Sequence, residues 1–143
     1  MDNRKKSIIE FAKSFRKEWK TNDPFEIAKR YNIQVMFRDS AISSFTAQTF
    51  KVEGYPVIIS INSRYPEFAR KVLCAHELGH ALLHNEVVNY FAITSTNVTT
   101  DVELEANLFA LALLMENEDE LAMPLDKMDN YLLKTIMDYN IKV

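Results

Sequence analysis

The segment His76-Glu77-Leu78-Gly79-His80 constrains this chain more than any other feature, because it has the form H-E-x-x-H inside a stretch with helical periodicity. Residues four apart on a helix lie on one face, so the two imidazoles can converge on one metal ion. Glu77 lies one step around the same helix, where its carboxylate can act on water beside that ion. This spacing is typical of the active-site helix of zinc metallopeptidases.

Length and composition favour one compact globular domain spanning residues 1–143. Hydrophobic residues make up 48% of the 143 residues and charged residues 26%, and the formal net charge is −3. This balance does not suggest binding to nucleic acid. Cys74 is the single cysteine, so an intrachain disulfide is excluded. There is no long apolar run, and the basic N-terminus is amphipathic, so we expect neither a membrane span nor a signal peptide and place the protein in the cytoplasm.

The hydrophobic periodicity predicts helices followed by a small sheet and then more helices, which is an α+β fold. We expect a three-stranded antiparallel sheet, packed with the H-E-x-x-H helix and with a following helix that bears a further metal ligand. The chain divides into an N-terminal amphipathic helix at 1–20, a catalytic core at 24–116 and a C-terminal helical extension at 117–143. The individual elements are predicted as helices at 3–20, 24–31, 62–84, 101–116 and 125–140, and strands at 33–37, 45–52 and 57–61.

A catalytic zinc ion usually takes three protein ligands, so a third ligand is needed beside His76 and His80. His84 continues the four-residue spacing. It lies about 12 Å along the helix axis from His76, at about 1.5 Å rise per residue. One tetrahedral ion cannot contact three successive turns of a straight helix. We therefore expect His84 to support a ligand, cap the helix end or lie exposed.

The helix predicted at 101–116 is the better source of the third ligand. Glu103 and Asn107 share one face with two alanines, which would allow this helix to pack closely against the motif helix. Glu103 could then bind the metal while Asn107 hydrogen-bonds a ligand imidazole. Two alternatives remain. Thr100 and Glu103 also fit a capping box, and Glu105, about 200° around the helix, could be the ligand instead. Spacing alone favours Glu103 only slightly.

The chain resembles the ImmA/IrrE-type metallopeptidases of prophages and integrative elements. The resemblance covers most of residues 24–116, and it is carried by the blocks at 23–28, 57–62, 75–84 and 103–110. It implies a minimal gluzincin in which a glutamate four residues before an Asn or Asp is the third ligand, which selects Glu103 with Asn107. One departure is visible, because Glu116 follows Leu113-Leu114-Met115 where the family often has proline, so this helix could extend further.

The resemblance also implies a function. We expect a zinc-dependent endopeptidase with one Zn²⁺ per chain, held by His76, His80 and Glu103, with Glu77 as the general base. The implied substrate is a helix-turn-helix transcriptional repressor, which would make the protein an anti-repressor of a phage or mobile element. We expect no direct contact with nucleic acid or membrane, and no additional helix-turn-helix domain in this chain.

Two other functions compete with this expectation. The protein could be a zinc-containing binding module that inactivates a regulator by contact, without proteolysis. Retention of Glu77 argues against that reading, since a purely structural zinc site does not need it. It could also be a DNA-binding regulator that uses the basic helix at 4–20, which predicts salt-dependent affinity for DNA and conflicts with the acidic net charge.

Several further residues carry expectations that the structure can test. We expect Gly79 to permit close approach of a neighbouring backbone and Cys74 to pack in the core. The strand at 45–52, which includes Gln48, is expected to be a sheet edge to which an extended substrate adds. Oxyanion stabilisation needs another donor, and the chemically suitable candidates are Tyr55, His84 and Tyr90.

Overall fold

The computed structural model describes residues 3–42, 45–84, 96–116, 121 and 123–141, with the side chains of 96–100 and 140–141 left out. The elements in chain order are α1 (Asn3–Ser14), which continues into a π-helical turn (Phe15–Trp19), α2 (Pro24–Arg30), β1 (Gln34–Arg38), β2 (Ala47–Phe50), β3 (Ile58–Asn62), α3 (Glu67–Leu83), α4 (Thr96–Leu114), a 3₁₀ turn (Leu125–Lys127) and α5 (Asn130–Ile141). The predicted α+β class is confirmed. The division of the chain into three regions stays a prediction.

The three strands form a mixed sheet in the order β1-β3-β2. The hairpin of β2 and β3 is antiparallel, as expected, but β1 runs parallel to β3. The expectation of an entirely antiparallel sheet is therefore wrong for one pair. β3 is the central strand because Ile59 and Ile61 are completely buried. β1 ends and β2 begins at the same end of β3, so β1 and β2 run in opposite directions, and a central β3 that is antiparallel to β2 must be parallel to β1.

Asn62, at the end of β3, holds the connection that makes this topology possible. Its side-chain amide donates to the carbonyl oxygens of Ser40 and Phe45, and its oxygen accepts from the backbone N–H of Ser40. The segment between β1 and β2 thus crosses the end of β3 and is tied down there. Because Asn62 is buried and its side-chain amide is hydrogen-bonded to the crossing segment, we regard it as a structural residue of the crossover.

Helix α3 packs against the sheet on one side and against α4 on another, and Gly79 marks the point of closest approach between the two helices. A Cβ atom at Gly79 would lie 3.1 Å from the Cα atom of Ala106 and 3.3 Å from the Cβ atom of Phe109. The expectation that Gly79 permits close backbone approach is confirmed. This contact brings the H-E-x-x-H turn of α3 close to the first turns of α4 in which side chains are described.

Helix α1 covers the other side of α4. The rings of Phe11 and Phe15 lie 5.9 Å and 6.3 Å from that of Phe109, and Phe15 is almost fully buried. The contact of Phe15 with Phe109 is edge-to-face and that of Phe11 is tilted, and such ring contacts add to the hydrophobic burial. The predicted amphipathic N-terminal helix is confirmed, and its apolar stripe faces the core.

Some helix boundaries differ from the predicted ones. Helix α3 begins at Glu67 rather than at residue 62 or 63, because the chain preceding Pro66 is extended or turned. Helix α4 begins at Thr96, earlier than predicted, and ends at Leu114 without continuing past Met115. Residues 85–95 lie outside the described part of the chain. Among the described residues, no helix is long and apolar enough to cross a membrane.

Candidate metal centre

His76, His80 and Glu103 come together between α3 and α4. The Nε2 atom of His76 lies 3.1 Å from Glu103 Oε1, and the Nε2 atom of His80 lies 2.8 Å from Glu103 Oε2. The two histidines are on successive turns of α3, and the close contact at Gly79 holds Glu103 of α4 opposite them. One ligand atom from each of the three residues lies within 4.8 Å of the others.

The donor set fits a zinc ion. Two imidazole nitrogens and one carboxylate oxygen are ligands found in catalytic zinc sites, which keep a fourth position open. A tetrahedral ion with bonds of about 2.1 Å would separate its ligand atoms by about 3.4 Å. The separations of Glu103 from the two imidazoles are slightly shorter than this, whereas the ligand atoms of the whole group lie within 4.8 Å of one another, so the three side chains must adjust to bind one ion.

The electrostatics of the group favour a shared cation. Burial disfavours the charged form of Glu103, but hydrogen bonds from His76 and His80 outweigh it and hold the pKa of the carboxyl group well below its usual range. Burial likewise opposes the imidazolium form of His76, yet the hydrogen bond to Glu103 and the charge of Glu77 raise its pKa. Glu103 is therefore ionised at neutral pH and available to a metal ion.

Glu77 lies beside this group and is held by a residue of the sheet. The hydroxyl of Thr49, in β2, donates to Glu77 Oε1 over 2.6 Å and also lies 3.2 Å from the Glu77 carbonyl oxygen. The second carboxylate oxygen of Glu77 lies 3.9 Å from His76 Nε2. Both Thr49 and Glu77 are buried. The carboxylate is thus fixed with one oxygen bound to β2 and the other facing the histidines.

Thr49 was not among the residues singled out from the sequence, nor was Lys51. The Lys51 ammonium group donates to the carbonyl oxygen of His80 over 3.0 Å, and its burial lowers its pKa. Both residues lie in the strand predicted at 45–52, where residues two apart point to the same face, and this was the available signal. In the structure β2 ends at Phe50, one residue before Lys51. Nothing in the sequence indicated that this face meets α3.

Asn107 occupies the expected position beside a ligand imidazole, but its main hydrogen bond goes elsewhere. Its amide donates to Asn130 Oδ1 over 2.9 Å, which links α4 to α5. It lies close enough to His76 to raise the pKa of that imidazole. The geometry falls short of a hydrogen bond, and His76 Nδ1 has no hydrogen-bond partner among the described residues.

His84 and Glu105 lie next to the group without joining it. The Nδ1 atom of His84 lies 3.2 Å from His80 Nδ1, and its Nε2 atom lies 3.0 Å from Glu105 Oε1. Glu105 also binds the guanidinium of Arg4 in α1. Hydrogen bonding to Arg4 lowers the pKa of Glu105, while burial lowers that of His84. The structure places His84 in a supporting position, which was one of the roles expected of it.

The alternatives to Glu103 receive no support from this arrangement. Glu105 faces α1 and His84 rather than the two histidines of the motif. Since α4 begins at Thr96, Thr100 lies inside the helix, so the capping-box interpretation of Thr100 and Glu103 is wrong. The assignment of Glu103 as a metal ligand stays a prediction.

The remaining residues singled out from the sequence are Cys74, Tyr55 and Tyr90. Cys74 is completely buried, and that burial raises the pKa of its thiol, so it is a core residue as expected. Tyr55 is largely exposed, in the turn between β2 and β3, with no described contact to the metal group. Tyr90 lies outside the described residues. The choice of an oxyanion donor among Tyr55, His84 and Tyr90 therefore stays open.

Comparison with known proteins finds a family model and a relative that match most of this chain. The model of the Peptidase_M78 family, described as the IrrE N-terminal-like domain, matches residues 28–139. A protein of Bacillus phage phi105, named uncharacterized immunity region protein 2, is 36% identical over 102 residues. That alignment covers 69% of this chain and 62% of the phage protein, so the chain accounts for less than two thirds of that relative's length.

Proposed function

Because this chain belongs to the Peptidase_M78 family of IrrE N-terminal-like domains, we propose that it is a zinc-dependent metalloendopeptidase with one zinc ion per chain. The observation that carries the proposal is the convergence of His76, His80 and Glu103 on one point, with the carboxylate of Glu77 beside it. A structural zinc site has no use for the additional buried carboxylate, whereas a hydrolytic site needs a base there.

The residues divide the chemistry in the following way. His76, His80 and Glu103 would hold the ion, and the chemistry that zinc supplies when bound is Lewis acidity, which polarises a carbonyl group and makes water more acidic. Glu77 takes the proton from the attacking water and delivers it to the leaving amine nitrogen, so the peptide bond is cleaved without a covalent intermediate. Thr49 holds one oxygen of Glu77 and thereby directs the other toward the reacting atoms.

An extended peptide would reach this site along β2. This strand pairs only with β3 in the described part of the chain, so its outer backbone groups are free to accept another strand. Because Thr49 of β2 contacts Glu77, a peptide bound to that edge would run past the proposed base. In the register of β2 with β3, Gln48 directs its backbone N–H toward β3, whereas Ala47 directs its N–H toward the outer edge. Replacing Ala47 with proline, which removes this outer donor, should impair cleavage, and unimpaired cleavage would exclude binding at this edge.

The substrate we propose is a helix-turn-helix repressor in the cytoplasm, so that cleavage would relieve repression of a phage or mobile element. The support is the relative from phage phi105, whose name places it in an immunity region. A protein substrate such as a repressor fits that name. The net charge of −3 agrees with a protein partner rather than a nucleic acid.

The test is the incubation of the zinc-loaded chain with each helix-turn-helix repressor encoded near its gene, followed by intact-mass measurement. We expect one cleavage site with wild type. We expect Glu77→Gln to retain zinc and lose cleavage, because only the base is removed. Glu67→Gln is the matched control, since Glu67 is an exposed glutamate in the first turn of the same helix.

The outcome also separates the proposed function from the binding-module alternative. If Glu77→Gln inactivates the repressor as well as wild type does, contact alone is sufficient and the peptidase proposal fails. If wild type binds no zinc even after reconstitution, the proposed metal site fails as well.

A further inference from the structure

A line of hydrogen-bonded side chains leads from His80 to the surface of α1. His80 Nδ1 faces His84 Nδ1 at 3.2 Å, and His84 Nε2 faces Glu105 Oε1 at 3.0 Å. Arg4 Nη2 donates to the same oxygen of Glu105 over 2.9 Å, while its Nε atom donates to the other oxygen. We name these three supporting residues, His84, Glu105 and Arg4, the His80 relay.

The protons of the His80 relay have only one arrangement that satisfies every contact when His80 directs Nε2 at a metal ion. A neutral imidazole carries one N–H group, so the proton of His80 must then be on Nδ1 and be donated to His84 Nδ1. The proton of His84 must consequently be on Nε2 and be donated to Glu105. Arg4, which only donates, keeps the carboxylate of Glu105 in place as the final acceptor.

The side chains of the His80 relay become more exposed from His84 outward to Arg4. The His84 side chain is 14% exposed and that of Glu105 is 18% exposed, whereas the Arg4 side chain is 58% exposed. The inner contacts are therefore screened less by water than a surface ion pair, and their geometry matters correspondingly more. His76 has no comparable support, because its Nδ1 atom has no hydrogen-bond partner among the described residues.

The last member of the relay comes from outside the segment that the family model matches. Arg4 belongs to α1, and the match begins at residue 28. The aromatic contacts of Phe11 and Phe15 with Phe109 fix α1 against α4, so the position of Arg4 relative to Glu105 is set by packing. The N-terminal helix thereby makes a polar contact two residues removed from a proposed metal ligand.

We propose that His84, Glu105 and Arg4 are positioning residues that fix the tautomer and ring orientation of His80, and that α1 in this way raises the affinity of the site for zinc. The proposal rests on the metal site of the proposed function but not on proteolysis. Outer hydrogen-bond partners of metal ligands commonly contribute 10–100-fold in metal affinity. The same range is expected here for complete loss of the acceptor at Glu105.

The experiment measures the zinc dissociation constant of the full chain by competition with a chromophoric chelator. Glu105→Met keeps the length of the side chain but removes both acceptor oxygens, and we expect zinc to bind about 10–100-fold more weakly. Glu105→Gln retains one acceptor and should recover part of the loss. Arg4→Met should weaken binding by a smaller factor, since Arg4 is mostly exposed, and should add nothing in the Glu105→Met background.

Two readouts separate positioning from a general loss of structure. The control is Arg30→Met, because Arg30 forms a surface ion pair with Glu26 in α2 at 2.8 Å, without contact to a histidine. This control should leave zinc affinity unchanged. Long-range ¹H–¹⁵N spectra of the zinc-loaded protein should show the proton of His84 on Nε2 in wild type, and a changed tautomer population in Glu105→Met.

Each outcome decides the proposal. Zinc affinity of Glu105→Met within twofold of wild type would overturn it, as would a wild-type spectrum with the His84 proton on Nδ1. Wild type that binds zinc and shows the expected spectra but cleaves no repressor would leave the relay intact and refute only the peptidase function. Wild type that binds no zinc would refute both.

Discussion

Replacing Gly79 with alanine tests whether the close approach of α3 and α4 holds the metal group together. The added Cβ atom would lie 3.1 Å from the Cα atom of Ala106, 3.2 Å from the Ala106 carbonyl oxygen and 3.3 Å from the Cβ atom of Phe109. Carbon atoms in contact are normally about 3.5–4.0 Å apart. Two of these three neighbours are backbone atoms, so α4 as a whole must move away by about half an ångström.

Two opposing effects determine the change in stability. Forcing an extra methyl group into a packed contact costs about 1–3 kcal/mol, whereas alanine gains about 1 kcal/mol over glycine as a helix former. The net loss is therefore about 0–2 kcal/mol, or a melting temperature lower by up to about 8 °C. Glu103 lies one turn before Ala106, so the same displacement moves its carboxylate away from His76 and His80. We expect zinc affinity to fall by about 10-fold, since ligand geometry must be held within about 0.5 Å.

The assay combines thermal unfolding of the metal-free protein with the zinc dissociation constant. Gly54→Ala is the matched control, because Gly54 has φ of 85° and no atom within 4 Å of an added Cβ. Alanine at position 54 costs about 1–2 kcal/mol in backbone strain. Gly54 is far in sequence from every proposed metal ligand, and the added methyl group would disturb no packing contact. Gly79→Ala with unchanged zinc affinity, or Gly54→Ala with an equal loss of zinc affinity, would refute the reasoning.

Two further predictions concern the polar contacts of the site. Thr49→Val removes the donor to the buried carboxylate of Glu77 and should lower the free energy of unfolding, measured in urea, by about 1.5–3 kcal/mol. Thr49→Ser keeps a hydroxyl donor and should retain most of the wild-type stability. Equal urea midpoints for wild type, Thr49→Val and Thr49→Ser would contradict this prediction. In the metal-free protein, the pKa of Glu103 is lowered, so its stabilisation is complete above its ordinary pKa of 4.5 and is lost as pH falls below it. The pKa of His76 is raised, so its contribution is complete below its ordinary pKa of 6.5 and is lost as pH rises above it. The stability difference between wild type and Glu103→Gln should therefore be largest between about pH 4.5 and 6.5, and a difference that is constant from pH 3 to 8 would exclude the ion-pair network.

The parts of the site that follow local periodicity were predictable from the sequence. His76, Glu77 and His80 lie on a single helix, and a spacing of four places them together whatever the rest of the fold does. The apolar face of α1 and the capping of α2 by Asp23, which accepts from Phe25 N–H, are local in the same sense. Gly79 was also predictable, because a glycine inside a helix carries a conformational cost that close packing explains.

Long-range pairings were not predictable in the same way. The parallel pairing of β1 with β3 depends on how the segment crossing at Asn62 is held, and alternation within β1 does not report it. The role of Glu105 depends on where α1 packs, which spacing within α4 does not reveal. Thr49 is an ordinary strand residue until β2 is placed against α3. The start of α3 is different, because Pro66 is a local signal in the sequence that disfavours helix in the residue before it.

The contacts of β2 with α3 have a consequence for the rotation of that helix about its own axis. Thr49 of β2 binds Glu77, and Lys51, the residue directly after β2, binds the carbonyl oxygen of His80. Rotation of α3 about its axis in either direction would lengthen one of these hydrogen bonds. The rotational position of the helix is therefore set by Thr49 and Lys51 as well as by the apolar core. The direction in which both histidines point is thus fixed at two places on a rigid support, before any ligand arrives.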